Sequence, residues 1–270
     1  MSDKIRCDVA LVQRGLCESR EKAQACIMAG QVYIGERKVL KSSETVKPED
    51  ELILRGPAHP WASRGGLKLE KALKVFPVPV RDRICMDIGC ATGGFTDVLL
   101  KNGAGHVYAI DVGYGQFDWQ LRNDPRVTLM ERTNARYLTP DMVPLHPTLT
   151  VMDVSFISIR LILPVAAALM GDEGCFCTLI KPQFEAGKDR IGKKGVVRDP
   201  AVHADVLREI VEFCPTFGWQ VQALDFSPIT GPEGNIEFLA CITPRREETE
   251  PCSEEKIKAL VRSAHESMKK

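Results

Sequence analysis

Lys68, Asp153, Lys181 and Glu237 lie far apart in the chain, yet their types are those needed to loosen a proton on a hydroxyl and hold the charge that develops. Asp153 (Met152-Asp153-Val154-Ser155) and Lys181 (Ile180-Lys181-Pro182) each close an apolar run of strand character, where a parallel sheet places its reactive groups. Lys68 sits in Arg64-Gly65-Gly66-Leu67-Lys68-Leu69. Glu237 (Asn235-Ile236-Glu237-Phe238) sits in what reads as a hydrophobic edge strand, where a charge must be paired or face a cleft. Taken singly, each reads as a surface ion pair. Taken together they suit proton chemistry, with Lys181 as general base if neutral or as stabiliser of an alkoxide if charged. Lys68 nearby would lower the Lys181 pKa, whereas Asp153 and Glu237 would raise it.

Between the first two of these residues runs Asp87-Ile88-Gly89-Cys90-Ala91-Thr92-Gly93-Gly94-Phe95, a glycine-rich turn between a strand and a helix. Gly89, Gly93 and Gly94 allow a tight turn and a close backbone approach to a ligand. About twenty residues on, a second strand ends in Asp111, followed by Val112; the carboxylate is placed to bind both hydroxyls of a ribose. An NAD site has the same outline, but its fingerprint is G-x-G-x-x-G, and this loop is G-x-x-x-G-G. Asp87 suits the amino-acid end of a ligand without pyrophosphate.

The elements that must position these groups alternate from residue 64 onward. Helices are expected over 67–76, 95–101, 159–170, 201–213 and 253–268. Strands are expected over 84–88, 106–110, 127–130, 149–153, 175–180, 220–226 and 235–242. Such alternation implies a mostly parallel sheet covered on both faces, an α/β fold. The last two strands, separated by a loop with Gly231, Pro232 and Gly234, form an antiparallel hairpin at its edge. Residues 181–199 read as a long loop beside the site, rich in glycine and charge, suited to a lid or backbone clamp.

The first sixty residues carry a separate pattern. Ile5, Val9 and Val12 recur at helical spacing up to Gly15, and Ser19 caps a second helix with Ala23, Cys26 and Ile27 that stops at Gly30. Short strands follow over 31–34, 38–40 and 51–55. Gly56-Pro57-Ala58-His59-Pro60 is a linker by composition, and Trp61 after it is a packing anchor at the domain junction. Two domains are therefore expected, 1–60 and 61–270.

Residues 19–52 resemble the alpha-L RNA-binding domain, and the remainder resembles the FtsJ-like methyltransferases; over its full length the chain is similar to the TlyA family. The resemblance implies a Rossmann-like S-adenosylmethionine-dependent methyltransferase acting on a ribose 2′-hydroxyl of ribosomal RNA, at a cytidine. It implies that Lys68, Asp153, Lys181 and Glu237 are the catalytic set. Asp87, Gly89, Cys90, Thr92, Gly93, Gly94, Phe95, Asp111, Val112, Asn134 and Asp153 would hold the cofactor. RNA contacts are expected from Arg6, Arg14, Arg20, Lys22, Lys38 and Lys41, and from Arg64, Lys188, Arg190 and Lys193. Thr92 stands where FtsJ-like sequences usually have proline, a TlyA-like variant. Competing readings are a membrane-active haemolysin, a name also borne in this family, and a ribosome-assembly factor with an inactive methyltransferase fold.

Bulk properties narrow the field. Lys+Arg and Asp+Glu balance at 36 each, and residues 1–60 hold ten basic against nine acidic side chains, so an RNA footprint must come from local clustering. Charges interrupt the start of the chain from Asp3 and argue against a signal peptide, and the longest apolar run, 161–170, contains Pro164, far from the roughly 20 residues of a membrane span. No C-x-x-C occurs among the 10 cysteines. They are expected to be reduced, mostly buried and without a metal, in the cytoplasm, in a monomer that binds no membrane.

Overall fold

The computed structural model describes residues 4–55, 59–246 and 252–268, with Lys193 described by its backbone alone. The chain divides into two compact units, Met1–Pro60 and Trp61–Lys270. Of the expected linker, residues 56–58 lie outside the described residues.

The first unit runs β1 (Ile5–Arg6), α1 (Cys7–Gln13), α2 (Arg20–Met28), β2 (Val32–Ile34), β3 (Arg37–Lys38), β4 (Thr45–Val46) and β5 (Leu52–Leu54). β3, β2 and β5 form an antiparallel sheet, while β1 pairs with β4 through Ile5 opposite Val46. Ile5 is thus strand rather than helix, and Val9 and Val12 are only half-buried. The buried stripe of α1 is Cys7, Ala10 and Leu11, which meets Ala23 and Ile27 of α2. Small side chains at two of its three positions let the helices approach closely, and a stripe read from β-branched residues alone misses them. Ser19 Oγ accepts from the Lys22 N–H and caps α2, and Gly30 at φ +70° follows its end.

The second unit contains α3 (Gly66–Val75), β6 (Ile84–Ile88), α4 (Gly94–Lys101), β7 (His106–Ile110), α5 (Trp119–Arg122), β8 (Val127–Met130), β9 (Leu149–Met152) and α6 (Leu163–Met170). It continues with β10 (Cys175–Ile180), α7 (Pro182–Glu185), α8 (Pro200–Phe213), β11 (Trp219–Phe226), β12 (Phe238–Pro244) and α9 (Glu254–Ser267). One seven-stranded sheet has the order β11-β12-β10-β9-β6-β7-β8; the five strands from β10 to β8 are parallel, and β12 runs antiparallel to both its neighbours. Alternate residues of its strands supply two apolar layers. Met86, Ile88, Met152 and Phe176 pack with α6, α8 and α9, while Cys85, Val151, Cys177 and Leu179 pack with α3 and α4. β9 and β10 are consequently buried on both faces.

Three expectations need correction. Glu237 lies one residue before β12, not within a strand, and β12 is inserted between β10 and β11, so that β11 is the edge. The stretch 159–170 divides into a 3₁₀ turn, Ile159–Leu161, and α6, whose first turn accommodates Pro164 where a proline needs no amide donor. Residues 181–199 are no open loop: they hold α7 and two 3₁₀ turns and bury Val196 and Val197. The Asn235 carboxamide pins them by accepting from the Val197 N–H at 3.0 Å and donating to Gly195 O at 3.0 Å.

Seven of the cysteines are buried, and all ten are free thiols. Among the described residues no group of three or more His, Cys, Asp or Glu side chains is placed to hold a metal ion, and no helix is long and apolar enough to cross a membrane.

Candidate active site

Strand order reverses between β6 and β9: from β6 the chain moves through β7 to β8, then crosses back to β9 and β10. Ligands of open α/β sheets bind outside the carboxyl ends of the strands at such a reversal. Asp153 immediately follows β9 and Lys181 immediately follows β10, so parallel pairing of these strands brings both to one rim. Lys68 reaches the same rim from the face of α3 that buries Leu69 and Ala72, and Glu237 reaches it from the turn entering β12.

The four side chains form one connected group. Lys68 Nζ donates to Glu237 Oε2 at 2.7 Å and to Asp153 Oδ2 at 3.1 Å. Lys181 Nζ lies 2.6 Å from Asp153 Oδ1 as an ion pair, its well-directed hydrogen bond going instead to Ser155 Oγ at 3.0 Å. Lys68, Lys181 and Glu237 are 7%, 8% and 1% exposed, so the charges survive burial only because they neutralise one another. Burial acts to lower the Lys68 pKa, but Asp153 and Glu237 outweigh it and raise the value above that of an ordinary lysine. Burial likewise acts to raise the Asp153 pKa, and the two ammonium groups reverse it to below the usual carboxylate range.

Beside this group opens a cavity of about 460 Å³, within the range of small-molecule sites, lined by the ends of β6 and β7 and by the segments after β8 and β9. Gly89 lets the loop after β6 close against β9. A Cβ there would stand 2.7 Å from the Asp153 carbonyl oxygen, and φ is +82°. Asp111 faces the cavity and also braces it, accepting from Ala91 N through Oδ2 at 2.8 Å and from Gly113 N through Oδ1 at 2.6 Å. Each carboxylate oxygen retains a second lone pair for a ligand hydroxyl. Ile110, Val112, Ala135 and Ile162 give the slot an apolar side. An apolar slot, a diol acceptor and a carboxylate at the far wall fit an amphipathic adenosine-type cofactor that carries a cationic centre.

Of the residues expected to hold that cofactor, Gly89, Asp111, Val112, Asn134 and Asp153 line this cavity; Asp87, Cys90, Thr92, Gly93, Gly94 and Phe95 do not. Asp87 is fully buried beneath the loop, accepting from Thr96 Oγ1 at 2.6 Å, with Oδ1 lacking a hydrogen-bond partner. Burial pushes its pKa up to about 7. Cys90 and Phe95 are core residues, and Thr92 is exposed away from the cavity. Gly94 serves packing, because a Cβ would meet Ser63 Oγ at 2.3 Å and the Gly66 amide nitrogen at 3.0 Å, closing the start of α3 onto α4. Asn134 caps a 3₁₀ turn through the Arg136 N–H as well as facing the cavity. Sequence reasoning missed Ser155 and Phe156. The second is 92% exposed at φ +64°, and neither carries a spacing signal that marks it.

Residues 61–243 match the FtsJ-like methyltransferase family and residues 5–52 match the S4 domain. The chain belongs to the TlyA family of FtsJ-like methyltransferases. A Bacillus subtilis relative named "Putative rRNA methyltransferase YqxC" is 51% identical over 99% of this chain and 96% of its own length. The Mycobacterium tuberculosis protein named 16S/23S rRNA (cytidine-2'-O)-methyltransferase TlyA is 43% identical over 88% of this chain and 90% of its own. A solved Streptococcus thermophilus structure described as a putative hemolysin is 45% identical, with a TM-score of 0.78, covering 100% of this chain and 98% of that one. The cofactor of this TlyA-family chain is S-adenosylmethionine, and the dinucleotide alternative for its loop falls away.

The basic residues expected to contact RNA differ in how free they are. Arg6 and Arg20 both bind the fully buried Asp8, at 2.9 and 3.0 Å, and Arg14 donates to the carbonyls of Lys47, Pro48 and Asp50. Arg14 is therefore a tie between α1 and the segment before β5. Lys22 pairs with Glu18, while Lys38 and Lys41 are exposed. In the second unit Arg64 donates to Thr230 O at 2.6 Å, and Arg190 is engaged by Ala186 O and Glu209. Lys188 is exposed; the Lys193 side chain lies outside the described residues.

Proposed function

We propose that the chain methylates a ribose 2′-hydroxyl of ribosomal RNA, at a cytidine, from S-adenosylmethionine, with residues 1–60 engaging the RNA. The observation that carries this reading is the pair of buried lysines sharing Asp153 at the wall of the cofactor cavity. A base nitrogen or carbon acceptor has no use for two ammonium groups beside the methyl donor, whereas an alcohol that loses its proton does. The names of the Mycobacterium relatives, which specify cytidine 2′-O-methylation, support the same acceptor.

A bound S-adenosylmethionine supplies an electrophilic methyl group on a sulfonium centre. The chain's own residues supply alignment and charge. A lysine has three donor directions. Lys68 commits two of them to Glu237 and Asp153, and remains charged as a brace. Lys181 commits one to the Asp153 ion pair and one to Ser155, leaving one for a substrate oxygen. Each lysine keeps one direction, but Lys68 is held by two carboxylates and Lys181 by one carboxylate and the neutral Ser155 hydroxyl. Lys181, the less tightly paired of the two, is the group assigned to the hydroxyl, while Asp153, held by both lysines, keeps it in register with the cavity.

Mapping 2′-O-methyl sites on rRNA incubated with and without the protein tests the reading. A new ribose-methylated cytidine is expected, and methylation confined to a base would overturn it.

A further inference from the structure

We propose that Glu185 is a positioning residue that couples the wall of the cofactor cavity to Lys181. The inference rests on the reading of Lys181 as the group at the hydroxyl. Lys181 is the residue that enters α7, and Glu185 is the last residue of that single turn. Its side chain is almost fully enclosed and reaches back to the segment after β9, accepting from Ser158 Oγ through Oε2 at 2.6 Å and from the Ile159 N–H through Oε1 at 2.8 Å. Arg160 Nε stands 3.6 Å away, and Arg160 is itself held to Glu209 on α8 at 2.7 Å.

The segment anchored in this way does two jobs. Residues 153–157 form one wall of the cofactor cavity, and Ser155 from the same stretch accepts the Lys181 hydrogen bond. The path from Lys181 through α7 to Glu185, across to Ser158, back along the chain to Ser155 and on to Lys181 Nζ is a closed ring. Phe184 of α7 also lies beside the segment, its ring 5.2 Å from that of the largely exposed Phe156. If the Glu185 contacts are lost, the cavity wall and the acceptor of Lys181 shift together. A carboxylate serving only as a helix-end cap would lower stability and leave both functions in place.

The test uses the full-length protein with Glu185→Gln, Glu185→Ala, Ser155→Ala and the double variant Glu185→Ala/Ser155→Ala. S-adenosylhomocysteine affinity is measured by calorimetry, separately from single-turnover methyl transfer at saturating RNA and cofactor. Glu185→Ala is expected to weaken S-adenosylhomocysteine about fivefold or more and to slow saturated turnover by on the order of 10- to 100-fold, as misplacement near 1 Å does. Glu185→Gln, which keeps one acceptor oxygen, should show a smaller loss of both kinds. It carries the test if the alanine variant does not fold. Because Glu185 would act on saturated turnover by way of the Ser155–Lys181 hydrogen bond, the double variant should turn over within about twofold of the slower single variant. Multiplicative losses in the double variant, or normal affinity and turnover with only a lowered melting temperature, would overturn the proposal. Should Lys181→Ala itself turn over normally, that reading of Lys181 fails on its own. The coupling is then judged on S-adenosylhomocysteine affinity, and unchanged binding in both Glu185 variants overturns it too.

Discussion

Lys68 and Lys181 share one carboxylate but not one environment. Lys68 is locked between two carboxylates, Asp153 and Glu237, whereas Lys181 has one carboxylate and the neutral Ser155 hydroxyl. Lys181→Ala is therefore expected to bind S-adenosylmethionine and RNA yet lose about two to four orders of magnitude in single-turnover rate. Lys181→Arg should not restore it, because a guanidinium neither gives up a proton nor matches the ammonium geometry. Near-normal turnover in the alanine variant would remove Lys181 from the chemistry. Asp87 makes a second residue-level prediction, on stability. Its folded pKa of about 7 lies above the usual carboxylate value, so the native state holds the extra proton. Stability is then lost as pH rises from about 4 to about 7 and levels off above that. His203, depressed to about 4 by burial, contributes with the opposite sign, gaining stability as pH rises toward its ordinary value of 6.5. The Asp87 share is isolated by comparison: the melting temperature of Asp87→Asn should fall less from pH 5 to pH 8 than that of the parent protein. Parallel pH profiles would show that Asp87 is not titrating there.

At the scale of elements, the two helices of the first unit turn a simple RNA-binding test into a folding test. Asp8 on α1 is fully buried and accepts from Arg6, Arg20 and Gln24, so it fastens α2 to α1 as it holds the arginines. Arg20→Glu places a carboxylate against Asp8 and should cost the first unit about 1–3 kcal/mol as well as any RNA contact. Lys22→Glu disturbs only an exposed pair with Glu18, worth little to stability. It should weaken RNA binding and flatten its salt dependence while leaving the melting temperature unchanged. Equal thermal losses in the two variants would contradict this division of roles.

Taken whole, the molecule has no net charge, so attraction to RNA must arise from where its cations stand and not from their number. The first unit has its own core of Cys7, Ala10, Leu11, Ala23, Ile27 and Val32, and the second has two layers around one sheet. Removal of residues 1–60 is expected to leave a folded remainder that binds S-adenosylmethionine with the parent's affinity and fails to methylate native rRNA. Calorimetry and an rRNA methylation assay on the truncated protein check the two halves separately. Full activity without residues 1–60 would deny them the targeting role.

Local pattern was enough for most of the elements, whereas the four ionisable residues were singled out by the family resemblance, and the structure brings them together. Apolar runs of period two and 3.6 mark strands and helices wherever the chain is placed, and charges that end buried strands stand out against them. Gly89 and Gly93, at φ +82° and +92°, marked the turn after β6, since glycine takes a left-handed backbone at least cost. Pattern misled where several non-adjacent segments compete for one space. The stripe of α1 fell on Cys7, Ala10 and Leu11 because close helix packing favours small side chains over the β-branched residues that signal periodicity. Asp87, Cys90 and Phe95, which the resemblance assigned to the cofactor, are buried and do not line the cavity. The residues 181–199 looked solvated because their charges are local and their anchors are not: Asn235 and Ser158 sit on segments remote in sequence. The sequence alone determined the two kinds of domain and the types of group at the site. Only the tertiary structure decided which partner each charge has, because pairing depends on where β9, β10, α3 and the turn before β12 converge, and that convergence is set by strand order.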